Sequence, residues 1–137
     1  MKHTSRRMPA VPGFRASGIA CGLKPDEKKD LALLVSDVPA TAAGVFTRNR
    51  VRSPSVEWSR RMLARTPTVR AVLVNSGNAN ACTGPQGWDD CRTLATRLAT
   101  ELAIDPREIL IASTGVIGVP LPVQTLVAGL PQAVRSL

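Results

Sequence analysis

The stretch from residue 69 to residue 112 constrains the fold more than any other, because it predicts two strands joined by one long helix. Residues 69–75 read Val-Arg-Ala-Val-Leu-Val-Asn, a β-branched run that is typical of a buried strand. From about Gln86 to Ala103 apolar side chains recur at helical spacing, and residues 108–112 form another short apolar run. Strand, helix and strand in this order indicate an α/β or α+β fold.

Two further apolar runs, at residues 30–36 and 40–46, precede this unit. Pro39 lies between them, and proline interrupts a strand because it has no backbone N–H to donate. The short connection predicts that the two runs form an antiparallel pair of neighbouring strands. Residues 13–22, which mix small and apolar side chains, predict an additional first strand.

The remaining segments complete a mixed sheet with flanking helices. Residues 56–64 predict a strand that turns into a short helix, and residues 123–137 predict a weak helix. Residues 1–12 are expected to be a flexible leader, and residues 13–137 a single α/β domain. A chain of 137 residues fits one domain of ordinary size.

The formal net charge of +8 raises the question of an acidic partner. Seven arginines lie close together with Glu57 as the only acid among them: Arg48, Arg50, Arg52, Arg60, Arg61, Arg65 and Arg70. This basic cluster has no regular aromatic interleaving and no nucleic-acid module signature, so no nucleic-acid partner is expected. A solvated basic face is the favoured interpretation, and an interface to an acidic partner chain is the alternative.

Few side chains in this sequence suit metal or triad chemistry. His3 is the only histidine, which excludes a histidine-based triad or a His-rich metal site within the chain. The spacings of Cys21, Cys82 and Cys91 match no zinc pattern. No segment approaches the roughly 20 apolar residues of a membrane span. We therefore expect a cytoplasmic protein with free thiols, no bound cofactor or metal and no membrane partner.

Two polar, glycine-containing segments follow the two strands of the central unit. The first, Asn75–Gly84, reads Asn-Ser-Gly-Asn-Ala-Asn-Ala-Cys-Thr-Gly, and the second, Ser113–Gly118, reads Ser-Thr-Gly-Val-Ile-Gly. If the strands are parallel, both segments emerge at the same edge of the sheet. A hydroxyl and a backbone N–H form a sufficient pair of donors for an oxyanion, and Gly115 would admit a carbonyl group without a Cβ in the way. From spacing alone, both segments are more simply interpreted as turns.

Three segments resemble hallmark segments of the ornithine acetyltransferase, or glutamate N-acetyltransferase, family. They are Val74–Gly84, Ile111–Leu121 and Ala43–Val51, and their order and spacing agree with the family. The resemblance covers the chain from about residue 11 to the mid-120s. It implies the N-terminal part of the self-processing DmpA/ornithine-acetyltransferase-like fold, truncated relative to the family's α chain.

The resemblance also implies a reaction, the transfer of an acetyl group from N2-acetylornithine to glutamate in arginine biosynthesis. Some family members also use acetyl-CoA, which would then be a co-substrate. Thr114 and Gly115 match the family's oxyanion pair, through the Thr114 hydroxyl and the Gly115 N–H. The family precursor cleaves itself into α and β chains, and the new N-terminal threonine of the β chain is the nucleophile.

That nucleophile, and the downstream threonine and lysine that bind substrate in the family, have no counterpart in this sequence. We therefore expect the isolated chain to be inactive and its partner to be the missing C-terminal or β chain, in an α2β2 heterotetramer as in the family. The alternative is a non-catalytic fragment, an interaction module that docks on the missing chain.

Overall fold

The computed structural model describes residues 11–66 and 68–137, and these form a four-stranded mixed sheet with three helices. The elements are β1 (Phe14–Ile19), β2 (Leu31–Thr41), α1 (Pro54–Arg65), β3 (Thr68–Asn78), α2 (Gly84–Leu102), a 3-10 turn (Pro106–Glu108), β4 (Ile109–Val116) and α3 (Val123–Arg135). The predicted fold class is confirmed. Most of the predicted leader, residues 1–10, lies outside the described residues. None of the described helices is long and apolar enough to cross a membrane.

The sheet has the strand order β1-β2-β3-β4. The pairs β1–β2 and β2–β3 are antiparallel, whereas β3 and β4 are parallel and are joined through α2. The predicted strand–helix–strand unit is therefore present, with its helix close to the predicted bounds. Pro85 stands at the start of α2, and Ala103 ends it in a left-handed conformation.

The prediction of two antiparallel strands on either side of Pro39 is wrong. A single strand, β2, runs through Pro39 and pairs with β1 on one side and β3 on the other. Its pairing with β1 ends at Ser36, and its register with β3 shifts between Val35 and Ala40. Pro39 lies inside this irregularity, so its missing N–H removes no regular ladder bond. Residues 42–53 form neither strand nor helix.

Residues 56–64, predicted as a strand turning into a helix, belong entirely to α1. The Ser53 side chain accepts a hydrogen bond from the Val56 N–H, and Pro54 occupies the first turn. A serine cap followed by proline is a strong start signal for a helix. The buried side chains recur at helical spacing and are Ser55, Trp58, Ser59 and Met62.

The hydrophobic core lies on one face of the sheet, beneath α2 and α3. Alternate strand residues supply its sheet side, which includes Leu31, Leu33, Val35, Ala71, Leu73, Ile109 and Ile111. The helices supply Leu94, Leu98, Leu126 and Leu130. The opposite face of the sheet keeps exposed or half-buried apolar side chains, and α1 adjoins it beside β4. These side chains include Ala32, Leu34, Val72, Leu110 and Ala112.

Asp30 joins the β1–β2 connection to the end of β3. Its buried carboxylate accepts hydrogen bonds from four consecutive backbone N–H groups, those of residues 21–24, at 2.7 to 3.2 Å. Its backbone carbonyl accepts from the Ser76 N–H at 2.8 Å. Burial alone would raise the pKa of Asp30, but these N–H groups and the Cys21 thiol stabilise the carboxylate and lower the pKa to about 2.

We expect Asp30→Asn to destabilise the fold at neutral pH. A carboxyl pKa lowered from 3.8 to about 2 contributes about 2 kcal/mol to the free energy of unfolding. Because the pKa is lowered in the folded state, this contribution is complete above pH 3.8 and is lost as the pH falls through 2. Urea unfolding measures the free energy of unfolding of Asp30→Asn and of the wild type at pH 7 and at pH 2.5. The difference between the two proteins should be smaller at pH 2.5.

Asp26→Asn is the matched control for this prediction. Asp26 is exposed, and its carboxylate lies 3.7 Å from the Lys28 ammonium group. An exposed pair of this kind contributes little, so the control should change the free energy of unfolding by less than about 0.5 kcal/mol. Equal stability of Asp30→Asn and wild type at pH 7 would refute the role of Asp30.

Candidate active site

The two segments that the sequence singles out lie side by side, at the C-terminal ends of the parallel strands β3 and β4. Ser76 is paired with Thr114, and Gly77 with Gly115. The expectation that both segments share one edge of the sheet is thus met. The interpretation of both segments as turns is wrong at this point. The two segments pair with each other and extend the strands to Asn78 and Val116.

Gly115 is packed directly against the backbone of Gly77. A Cβ on Gly115 would lie 2.2 Å from the Gly77 carbonyl carbon and 2.5 Å from the Asn78 nitrogen. The backbone of Gly115 also has a φ of +136°, and that of Gly77 has a φ of +120°. Glycine is therefore required at position 115 by the approach of the two strands, which is a reason that the sequence did not reveal.

Helix α1 covers the free edge of β4. The Trp58 indole N–H donates to the Ile109 carbonyl at 3.0 Å. The Ser59 hydroxyl donates to the Ile111 carbonyl at 2.7 Å and accepts from the Ile111 N–H at 2.9 Å. The Ser55 hydroxyl lies 2.8 Å from the Ser113 hydroxyl. An edge strand exposes unpaired backbone groups, and α1 satisfies the Ile109 carbonyl and both backbone groups of Ile111.

The sequence did not indicate these three α1 contacts, because residues 56–64 were predicted to begin as a strand. The start signal Ser53-Pro54 was available in the sequence and would have placed Ser55, Trp58 and Ser59 on one helical face. Their contact with β4 follows only from the sheet order.

Beyond Ser113 the edge of β4 is open. Strand residues alternate in the direction of their backbone groups, and Ile109 and Ile111 face α1. The carbonyl of Val116 accepts from the Ala79 N–H at 2.9 Å, so Val116 faces β3. By this alternation the N–H of Gly115 faces the open side. Thr114 and Gly115 are both exposed, and among the described residues the Thr114 hydroxyl has no hydrogen-bond partner.

Three asparagines of the first segment hold the backbone around these strand ends. Asn75 donates to the Asn78 carbonyl at 2.8 Å, and Asn78 donates to the carbonyls of Val119 and Pro120 at 3.1 Å. Asn80 donates to the Gly87 carbonyl at 2.9 Å. All three asparagines are buried. They shape the connections and do not present amide groups to a ligand.

The thiols of Cys21 and Cys91 are poor nucleophiles because their surroundings raise their pKa. Burial raises the pKa of Cys91 to about 11, against hydrogen bonds from Ser55 and Asn80. Burial and the neighbouring Asp30 carboxylate raise the pKa of Cys21 to about 12. Both thiols therefore stay protonated at neutral pH, and the thiolate is the reactive form. Cys82 is exposed, and all three cysteines are free.

Four of the seven arginines in the basic cluster bind groups of this chain. Arg52 and Arg60 pair with the Glu57 carboxylate, and Arg61 lies 4.5 Å from the centre of the Trp88 ring. Arg70 donates to the carbonyls of Ser36 and Asp37. Much of the positive charge of the cluster is thus used within the fold. Arg48, Arg50 and Arg65 are exposed.

Comparison with known proteins identifies the family. The sequence pattern of the ArgJ family matches residues 15–137. The chain belongs to the ArgJ family. It is 49% identical over 120 residues to the arginine biosynthesis bifunctional protein ArgJ of Thermus thermophilus, covering 88% of this chain and 32% of that protein. It is 48% identical over 129 residues to the ArgJ of Streptomyces avermitilis, covering 93% and 33%.

Solved ArgJ structures share the fold of this chain. The ornithine acetyltransferase of Mycobacterium tuberculosis, solved in complex with ornithine, superposes with a TM-score of 0.88 at 42% identity, covering 92% of this chain and 68% of that one. The ArgJ of Bacillus halodurans superposes with a TM-score of 0.85 at 39% identity, covering 88% and 63%. This chain spans about a third of the length of the curated ArgJ relatives that it matches. The resemblance to the ornithine acetyltransferase family is confirmed.

Gly115→Ala is expected to lower the free energy of unfolding by more than about 3 kcal/mol, because the added methyl group collides with the backbone of the neighbouring strand. Gly118→Ala is the matched control. Gly118 also has a positive φ, +80°, but nothing lies within 4 Å of its added Cβ. The free energy of unfolding of the control should fall by about 1 kcal/mol, because alanine is disfavoured at a positive φ. Urea denaturation measures the free energy of unfolding of both variants. Equal decreases would show that the close contact with Gly77 does not require glycine at position 115.

Proposed function

We propose that this chain is part of an acetyltransferase that moves an acetyl group from N2-acetylornithine to glutamate, and that it supplies the oxyanion hole. The observation that carries the proposal is the open end of β4, where an exposed hydroxyl and a backbone N–H follow each other at Thr114 and Gly115. Membership of the ArgJ family supports the reaction, since relatives are arginine biosynthesis proteins and one solved relative is an ornithine acetyltransferase bound to ornithine. Acetyl-CoA is proposed as an additional acetyl donor.

The chemistry follows from the two donors. Attack of a nucleophile on the acetyl carbonyl converts the planar carbon into a tetrahedral one and places a negative charge on the oxygen. The Thr114 hydroxyl and the Gly115 N–H would donate to that oxygen. Loss of one such donor typically costs about 2.7–4 kcal/mol of transition-state stabilisation. Both donors stand on a paired strand, so they need little reorganisation during the reaction.

The nucleophile is proposed to come from the polypeptide that completes the enzyme. In the family it is the N-terminal threonine of the β chain, whose own amine can act as the base. Such a mechanism needs neither a histidine nor a metal. We propose that the completing polypeptide docks on this chain in the cytoplasm, in an α2β2 assembly.

The sheet face opposite the core supports a docking partner. It carries apolar side chains on β2, β3 and β4, among them Leu34, Val72 and Leu110. Exposed contiguous apolar surface of this kind typically marks an interaction site. The curated relatives are about three times as long as the matched segment, so they contain residues that could cover it. The same surface also suits the second candidate, a non-catalytic module that docks without contributing to the reaction.

Thr114→Val tests the oxyanion role in the completed enzyme. Valine keeps the shape of threonine and removes the hydroxyl, so we expect kcat to fall about a hundredfold or more with little loss of stability. Thr100→Val is the control, because Thr100 is exposed on α2 and its hydroxyl only bonds the Thr96 carbonyl. Acetyl transfer from N2-acetylornithine to glutamate gives the measurement. Unchanged turnover in Thr114→Val would rule out the oxyanion role.

The isolated chain is expected to show no acetyl transfer, because the proposed nucleophile belongs to another polypeptide. Assay of the purified 137-residue protein with N2-acetylornithine and glutamate tests this directly, and measurable turnover would contradict it. Co-expression with the part of an ArgJ relative that this chain does not cover, followed by pull-down and assay, separates the two candidates. Binding with activity supports an enzyme part, and binding without activity supports a docking module.

A further inference from the structure

We propose that Ser55 is a positioning residue for the oxyanion donors, acting through the Ser113 hydroxyl on the strand that carries them. The proposal rests on the proposed function, since it concerns how the donors at Thr114 and Gly115 are held. Ser55 stands in the first turn of α1 and is 1% exposed. Its hydroxyl lies 2.8 Å from that of Ser113, the residue directly before Thr114.

The spacing of α1 against β4 explains why this contact falls next to the open end. Four residues of helix advance about 6 Å, and two residues of strand advance about 6.6 Å. The two elements therefore stay in step, with Ser59 at Ile111 and Ser55 at Ser113. The next helical position would face Gly115, but α1 begins at Pro54. The Gly115 N–H is open because the helix starts one turn too late to cover it.

Ser55 differs from Ser59 in what it binds. The Ser59 hydroxyl satisfies the backbone N–H and carbonyl of Ile111, which an edge strand would otherwise leave unpaired. The Ser55 hydroxyl satisfies no backbone group of β4 and instead lies against a side chain. Two apolar residues could fill that space without leaving a backbone group unpaired. The hydrogen bond between Ser55 and Ser113 therefore fixes the Ser113 side chain and the direction of β4 after Ser113.

The same hydroxyl also connects the two strand ends. Ser55 lies 3.7 Å from the Cys91 sulfur, which in turn accepts from the Asn80 amide at 3.4 Å. Asn80 belongs to the connection that follows β3, whereas Ser113 belongs to β4. Ser55, Cys91 and Asn80 are all buried. Movement of one strand end relative to the other would break this series of contacts, so Ser55 restrains the distance between them.

The kinetic test compares Ser55→Ala with Ser59→Ala in the completed enzyme. The two serines stand one turn apart on the same face of α1, are both buried and both bind β4. Ser59→Ala also leaves the Ile111 backbone groups unpaired, so it should lower the free energy of unfolding at least as much as Ser55→Ala. Ser55→Ala should lower kcat about tenfold with KM changed less than about twofold, because misplaced donors weaken the transition state more than substrate binding. Ser59→Ala should leave kcat within about twofold of wild type. Equal effects of the two variants on kcat would overturn the proposal.

Ser113→Ala provides an independent second variant, since it removes the other hydroxyl from the strand side. If the two hydroxyls act as a pair, Ser113→Ala and the double variant with Ser55→Ala should each show about the same tenfold loss as the single variant. If the kcat of the double variant falls by the product of the two single decreases, the two hydroxyls do not act as a pair. This variant also keeps the test decisive if Ser55→Ala does not fold.

Hydrogen exchange in the 137-residue chain separates this proposal from the proposed function. Ser55→Ala should speed amide exchange in residues 113–116, whereas Ser59→Ala should speed it in residues 109–112. If the completed wild-type protein transfers no acetyl group, the proposed function fails irrespective of these rates. If it does transfer acetyl groups and Ser55→Ala leaves both exchange and kcat unchanged, the positioning role alone fails.

Discussion

The parallel pairing of β3 with β4 brings every candidate group of the site together, and it depends on the contact between Gly77 and Gly115. At that contact β4 has no room for a side chain, because a Cβ on Gly115 would lie 2.2 Å from the Gly77 carbonyl carbon. The pairing continues to Asn78 and Val116, which keeps two polar segments in strand conformation. A parallel pair also requires a long crossover, and α2 provides it on the core side of the sheet. The positions of Thr114 and Gly115 therefore follow from sheet geometry.

The connections around these strand ends are held by buried polar groups that are matched to backbone. Asp30 binds the four N–H groups of residues 21–24, and Asn75 and Asn78 bind the carbonyls of Asn78, Val119 and Pro120. Asn80 binds the Gly87 carbonyl in the first turn of α2. A buried polar group without a partner costs about 1–3 kcal/mol, so each of these bonds selects one local backbone shape. Rigid surroundings matter for a site that works by directing donors at a developing charge, because flexible donors lose part of the stabilisation to reorganisation.

The sequence alone predicted the elements whose signal is local and periodic. The helix from Gly84 to Leu102 and the strands on either side carry a long apolar pattern, and tertiary contacts did not override it. The error at β2 has a different origin, since Pro39 is tolerated only because β1 ends before it and the register with β3 shifts around it. Neither fact is visible in local sequence. The approach of Gly115 to Gly77 and the contact of Ser55 with Ser113 join residues 38 or more positions apart, so only the fold could reveal them.

The edge of β4 is covered by α1 at Ile109 and Ile111 and is open at Gly115. Edge strands invite unwanted pairing, and α1 removes that risk at Ile109 and Ile111 by hydrogen bonding their backbone groups. Extension of α1 by one turn would protect Gly115 in the same way and would remove the N–H that the proposed chemistry requires. Under the proposed function, a helix that starts at Ser53-Pro54 protects the edge at Ile109 and Ile111 and leaves the Gly115 N–H exposed. A strand held on both sides up to the residue before the donors, and open directly after it, is the arrangement that a preorganised oxyanion site demands.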